Sequence, residues 1–450
     1  MTKRRLSFLS ILFFSTLIFA CNQDADGQVE LRTLVSGSFT AGDGLQSDDP
    51  GGYQIIIVDR SNEPVDTVYH AVTDDAGNFA SEAIFARNGE YPIYIQKGSR
   101  VIDSFTLILA QSDTVNITGE LPDIGETRAI TSYENNANRT LRRLDTQYYR
   151  IVNLINAGAV EDNEVQGLIN TWADLYWSLR TDFPNTVASS RATHKSFEVL
   201  EGWEPEKTLA RLNSDHSDPI LQEASVYFGT IAKIDLEGLD STLDYLDKLD
   251  ERISRDDYKR IISMNKVELL YDSLRVDEAR EMLTLYDDRF RNTPDSSWAS
   301  RMYYELYNLA PGLTVPDFKL STEDQGEVSS ESLLGSPYLL EVVELSSRQY
   351  QSIHPTLIQL IESYSDSGLK MISIPMEHSI ITIGAFYDER PKPWAVSASR
   401  AYESANLIEK FNINQLPTRL LVDAEGNIIR KYIGNNLQQL EGDIETLINK

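Results

Sequence analysis

Tyr338-Leu-Leu-Glu-Val-Val-Glu-Leu-Ser-Ser-Arg-Gln-Tyr-Gln-Ser-Ile-His-Pro355 opens as a strand and closes as a helix. Leu339, Leu340, Val342 and Val343 form a short, partly β-branched apolar run, the mark of a strand buried on both faces. One acid, Glu341, interrupts it. A polar turn follows, and a helix begins near Tyr350, with Pro355 where a kink in that helix would fall. Ser346 and Ser347 stand just ahead of the helix, where a hydroxyl can accept from the free amides of the first turn.

Working outward, Leu313-Thr-Val-Pro-Asp-Phe-Lys-Leu320 precedes this stretch, and Glu327–Leu334 with Gly335 leads into it. Lys370–Pro375 reads as a second buried strand. A long loop carrying Trp394 precedes a predicted helix over Ser399–Phe411. Ile413-Asn-Gln-Leu-Pro-Thr-Arg-Leu-Leu-Val-Asp-Ala-Glu-Gly-Asn-Ile-Ile429 then predicts a strand, a turn and a second strand. A last helix spans Asn436–Ile448.

These segments together, residues 312–450, resemble TlpA/ResA-type thioredoxin-like proteins. The likeness rests on the Pro-Asp-Phe-Lys-Leu segment, the strand–turn–helix of 338–355 and Leu416-Pro417-Thr418. It implies a thioredoxin-like α/β domain. Two cysteines stand at the helix start in that family, where the helix dipole stabilises a thiolate. Those positions fall on Ser347 and Tyr350, with Arg348 and Gln349 between them. The resemblance further implies a buried acid at Glu341 and a cis-proline at Pro417 opposite the turn. Arg348, Gln349, Leu416 and Thr418 are then candidates to line a groove that pairs with an extended peptide. Disulfide exchange needs a thiolate, so this degenerate site is expected to be redox-inactive. A catalytic Ser347 would need a base. Glu344 is near, but His354 lies about two helical turns on, and there is no G-x-S-x-G elbow. Helix capping is the simpler role, and no catalytic residue is assigned.

The chain has 450 residues and a formal charge of −28, without a basic stripe that would serve nucleic acid. Its one cysteine, Cys21, excludes an intrachain disulfide and a thiolate metal cluster. The histidines His70, His194, His216, His354 and His378 are scattered. No metal or cofactor is therefore expected.

Lys3-Arg4-Arg5 and the apolar run Leu6–Phe19, too short to span a bilayer, have the layout of a signal peptide. The ending Leu17-Ile-Phe-Ala-Cys21 resembles the lipobox of bacterial lipoproteins. It implies cleavage after residue 20, lipidation of Cys21 and a membrane anchor through that lipid; a plain signal peptide is the other reading. Residues 21–28 form a polar tether. Asn22 lacks the aspartate that retains some lipoproteins at the inner membrane, so the outer membrane, on its periplasmic face or its surface, is the expected address.

Residues 29–122 carry seven short strand-like runs separated by turns such as Asp74-Asp-Ala-Gly-Asn78, which predict an antiparallel β-sandwich. Residues 128–310 shift to helical spacing, for example Leu141, Leu144, Tyr148, Ile151 and Ile155. Aromatics there (Trp172, Tyr176, Trp298, Tyr303, Tyr307) either fill cores or line a groove. The order of the three parts resembles thioredoxin-like lipoproteins of Bacteroidetes. The expectation is a multidomain α+β envelope lipoprotein that binds or scaffolds an envelope protein or peptide. Two alternatives stay open: an oxidoreductase role with cysteines supplied by a partner, and glycan or nutrient binding.

Overall fold

A computed structural model describes residues 33–449, apart from 43–48, 62–64, 82, 85–86, 292–295, 324–325, 389 and 391. The leader 1–20 and the tether 21–28, Cys21 included, lie outside the described residues. Two compact units divide the chain, one ending at Leu236 and the other beginning at Glu237. The helical stretch 128–310 is thus shared between them.

The first unit holds β1 (Leu34–Ala41), β2 (Tyr53–Asp59), β3 (Asp66–Val72), β4 (Asn78–Ala80), β5 (Gly89–Lys97), β6 (Arg100–Leu109) and β7 (Thr114–Leu121). The short α1 (Ile124–Thr127) and β8 (Ala129–Thr131) follow. The strands form two four-stranded sheets, β4-β1-β7-β8 and β3-β2-β5-β6. Alternate residues such as Ile55, Ile57, Ile93, Ile95, Val115 and Ile117 fill one core between them. The expected all-antiparallel sandwich is corrected here: β1 and β7 run parallel from Leu34↔Thr114 to Ala41↔Leu121. Two-residue periodicity fixes which face of a strand is buried, but it says nothing of strand direction. The module also extends past residue 122, because β8 pairs with β7.

Five main helices complete this unit: α2 (Tyr133–Asn156), α3 (Asp162–Asp182), α4 (Val187–Leu200), α5 (Pro205–Leu212) and α6 (Pro219–Ala224). A π-turn, Ser225–Gly229, runs on into α7 (Thr230–Glu237). Asn135 joins helix to sheet, accepting from Ile108 N–H at 2.9 Å and donating to its carbonyl at 3.0 Å. Trp172 and Tyr176 are buried in the α2–α4 core, so for them the core role holds and the groove role does not.

The second unit begins with α8 (Leu239–Arg252), α9 (Asp256–Asp272), α10 (Val276–Phe290) and α11 (Ser296–Tyr304), the last running into a π-turn, Glu305–Leu309. The small hairpin β9 (Lys319–Ser321) and β10 (Glu327–Ser329) and the turn helix α12 (Ser330–Leu333) precede β11 (Tyr338–Val343) and α13 (Arg348–Ser363). Then come β12 (Lys370–Pro375), α14 (Ile380–Asp388), β13 (Ala395–Val396), α15 (Ala401–Ser404), α16 (Leu407–Lys410), β14 (Thr418–Val422), β15 (Ile428–Ile433) and α17 (Gln438–Ile448). The sheet order is β13-β12-β11-β14-β15, with β11 parallel to β12 and antiparallel to β14.

Every residue of β11 is buried. Tyr338, Leu340 and Val342 face one core with Phe318, Leu407 and Phe411. Leu339 and Val343 face the other, under Leu357 and Ile361 of α13 and Leu440 and Ile444 of α17. The single helix predicted over 399–411 is instead two short ones. Arg400 and Asn406 adopt left-handed φ values of 61° and 51°, where a right-handed helix cannot continue.

Candidate functional site

The alternation of β11 sends Glu341 to the same face as Leu339 and Val343, beneath α13. Glu341 is fully buried, and its strand neighbours in register are Ser373 on β12 and Arg419 on β14. Arg419 Nε donates to Glu341 Oε1 at 2.8 Å, with both side chains wholly out of solvent. Glu341 Oε2 accepts from the Tyr350 hydroxyl at 2.9 Å and from Ser373 Oγ at 3.2 Å. Arg419 Nη1 donates to the Gly434 carbonyl at 2.8 Å. Its Nη2 finds no acceptor among the described residues.

A charge pair so deep is held by the hydrogen bonds that satisfy its remaining oxygens and protons. Tyr350 therefore does a structural job where the resemblance places a second cysteine. Burial, with the Glu341 carboxylate beside it, keeps its phenol protonated far above the ordinary range. The position of the first cysteine, Ser347, is the N-cap of α13: its Oγ accepts from Tyr350 N–H at 3.4 Å.

The serine-nucleophile reading loses its base in this arrangement. His354 is buried on α13, edge-on to Tyr350 at 5.7 Å, to Phe386 at 5.1 Å and to Trp394 at 5.7 Å. Burial, aided by the Arg390 guanidinium, pushes its imidazole down to about 4. Glu344 serves Ser346 instead, accepting from its Oγ at 2.8 Å. Ser346 N–H donates to Glu377 Oε1 at 3.1 Å. Among the described residues no group of three His, Cys, Asp or Glu side chains can hold a metal. Nor is any helix among them long and apolar enough to cross a membrane.

Leu416–Pro417 is a cis peptide, and a second one, Leu121–Pro122, lies in the first unit. Arg348 and Gln349 are exposed at the start of α13, and Leu416 is half-buried. Asn435 Nδ2 reaches Gln349 Oε1 at 3.3 Å. Thr418 does not belong with these groove candidates. It is fully buried, set between Val342 and Ile433, and its Oγ1 donates to the Gln415 carbonyl at 2.6 Å. Its backbone is committed to the sheet, so it has nothing to offer a ligand. Around the turn, Glu377 Oε2 and Asn435 Oδ1 are buried acceptors without a partner among the described residues. Arg419 and Tyr350 were not read as partners of Glu341 from the sequence. The available signal was one cation, Arg419, directly ahead of the apolar run Leu420–Val422.

No family model matches the chain. It is similar to the thiol-disulfide oxidoreductase ResA of Bacillus cereus, 20% identical over 137 residues, which is 30% of this chain and 78% of that protein. The ResA of Bacillus anthracis matches to the same extent. Among solved structures, a thiol:disulfide interchange protein DsbE from Chlorobium tepidum is 19% identical over 31% of this chain and 99% of its own, with a TM-score of 0.29. The thioredoxin domain of a Bacteroides vulgatus thiol-disulfide oxidoreductase is 20% identical over 32% and 100%, also at 0.29. The likeness is thus to the thioredoxin-like fold, at low identity and over about three tenths of the chain. The five-stranded sheet with its cis-proline agrees with that fold.

Proposed function

We propose that this thioredoxin-like domain binds an extended segment of an envelope protein and carries out no thiol chemistry. The observation that carries the reading is the fate of the two cysteine positions. Ser347 is a helix cap, and Tyr350 is built into a buried ion-pair network. Both residues are spent on structure, while the first residues of α13, Arg348 and Gln349, stay exposed. A lipid on Cys21 would hold the protein at the membrane, with the outer membrane as the proposed site.

Insulin reduction by dithiothreitol tests this reading. The full chain carrying Cys21→Ser is expected to leave the uncatalysed rate unchanged. Turnover clearly above background would revive the oxidoreductase alternative and overturn the proposal.

A further inference from the structure

The second unit carries an open cleft of about 470 Å³ between α10 and α11, within the range of about 300–1,000 Å³ that ligand sites occupy. It lies apart from the thioredoxin-type turn and shares no residue with it. Two tyrosines form its outer wall. Tyr303 and Tyr307 stack face to face, with ring centroids 4.4 Å apart and 27° between their planes. The guanidinium of Arg280 covers the ring of Tyr307 at 4.9 Å. This three-layer stack ends on Tyr303, which is 58% exposed. Tyr307 beside it is 45% exposed, so the pair leaves an aromatic surface open at the cleft.

The stack is rigidly mounted. The segment bearing it passes through the π-turn Glu305–Leu309, a distortion often found at functional sites. Its opposite face is fixed to the sheet domain of the same unit. Tyr304 Oη donates to the Lys410 carbonyl at 3.1 Å. Glu305, buried, pairs with Lys431 at 2.8 Å and also accepts from Tyr271 at 3.0 Å and Asn412 at 2.8 Å. Arg280 is pinned by the Leu306 carbonyl at 2.8 Å. A ligand would therefore meet a platform already in place, with little ordering to supply.

The charges decide what kind of ligand fits. Each guanidinium in the cleft already has a carboxylate: Arg280 has Asp277 at 2.9 Å, and Arg291 has Asp287 at 2.8 Å. The cleft thus offers no unpaired guanidinium to an anion, and Arg291 is shared between Asp287 and, at 3.7 Å, Asp288. The cleft does offer donors and acceptors side by side, with Thr284 Oγ1 beside them spending its proton on the Arg280 carbonyl at 2.9 Å. A flat aromatic face flanked by mixed donors and acceptors matches a sugar ring. The ring's C–H face lies on the π cloud, and its hydroxyls, each both donor and acceptor, reach the paired charges. We infer that this cleft binds a neutral oligosaccharide, with Tyr303 as the stacking platform.

Isothermal titration with a panel of neutral oligosaccharides of glucose, xylose, mannose and galactose tests the inference. Tyr303→Ala, Tyr303→Phe and Arg348→Glu are compared with the parent chain. One panel member is expected to bind the parent and Arg348→Glu alike. Tyr303→Phe should keep that affinity, and Tyr303→Ala should weaken it about tenfold or more. Tyr303 and Arg348 are exposed, so these variants are expected to fold as the parent does. No binding across the panel, binding untouched by Tyr303→Ala, or a preference for charged sugars over neutral ones would each overturn the inference. The outcome is independent of the thioredoxin-type turn, where Arg348 lies.

Discussion

Replacing Arg419 with Met is expected to destabilise the β11–β14 region by about 3–5 kcal/mol, the cost of leaving a buried charge without its partner. The reason lies in the register. Arg419 stands directly opposite Glu341, both have zero exposure, and the Nε–Oε1 distance is 2.8 Å. Tyr350 and Ser373 still donate to Glu341 when Arg419 is gone, but two neutral donors do not replace a cation. The pair substituted together, Glu341→Leu with Arg419→Met, is expected to lie closer to the parent than Arg419→Met alone, because an apolar pair of similar size often replaces a buried ion pair at little cost. Opening free energies from amide exchange of peptides covering residues 338–343 and 418–422 report this region without requiring the whole chain to unfold in one step. A double variant as costly as Arg419→Met and a separate Glu341→Leu variant added together would show that the two charges do not depend on each other.

The second large effect concerns Tyr350. Tyr350→Ala removes a fully buried ring that lies against His354 and Phe386, and a loss of about 3–5 kcal/mol is expected. Tyr350→Phe keeps the ring and deletes only the hydroxyl that bonds Glu341 at 2.9 Å. A loss of about 1–3 kcal/mol is expected, since a buried carboxylate oxygen then forfeits a donor. The same exchange experiment separates the two. Equal stability of Tyr350→Phe and the parent would mean that the hydroxyl does nothing for the carboxylate. The result also bears on any attempt to rebuild a dithiol: Tyr350→Cys opens most of the ring's volume and strips the same hydrogen bond from Glu341.

Much of the C-terminal domain could be read in the sequence because its pattern leaves few options. A six-residue run with four apolar members, a polar turn and an amphipathic helix gives a buried strand feeding a helix. The Ala424-Glu-Gly-Asn427 turn gives the hairpin, with Gly426 at a positive φ of 86°. The candidate site was legible only in part. Glu341 could be placed from the strand's alternation, but its partners come from β12, β14 and α13, and their juxtaposition depends on register between distant segments. Thr418 illustrates the limit: adjacency to a cis-proline suggested a groove, and the strand that begins there buries it instead.

The helical residues show the same division. Helical spacing marked the stretch 128–310 as helical, and α2 to α11 fall within it. It did not say which aromatics face solvent. Trp172 and Tyr176 lie within a core, whereas Tyr303 and Tyr307 stand open, although all four share similar spacing. Nor does a uniform composition reveal that the stretch is divided at Leu236. The break in the 399–411 helix rests on two left-handed residues, Arg400 and Asn406, that propensity alone does not single out.

The most direct test of the account is affinity capture from the native envelope, comparing the full chain with an Arg348→Glu/Gln349→Ala variant and with Tyr303→Ala as a control. Arg348 and Gln349 are exposed, so the variant is expected to fold as the parent does. A protein partner is expected that is retained by the parent and by Tyr303→Ala and lost from the Arg348→Glu/Gln349→Ala chain. A partner retained equally by all three would place binding elsewhere and contradict the groove as the working surface.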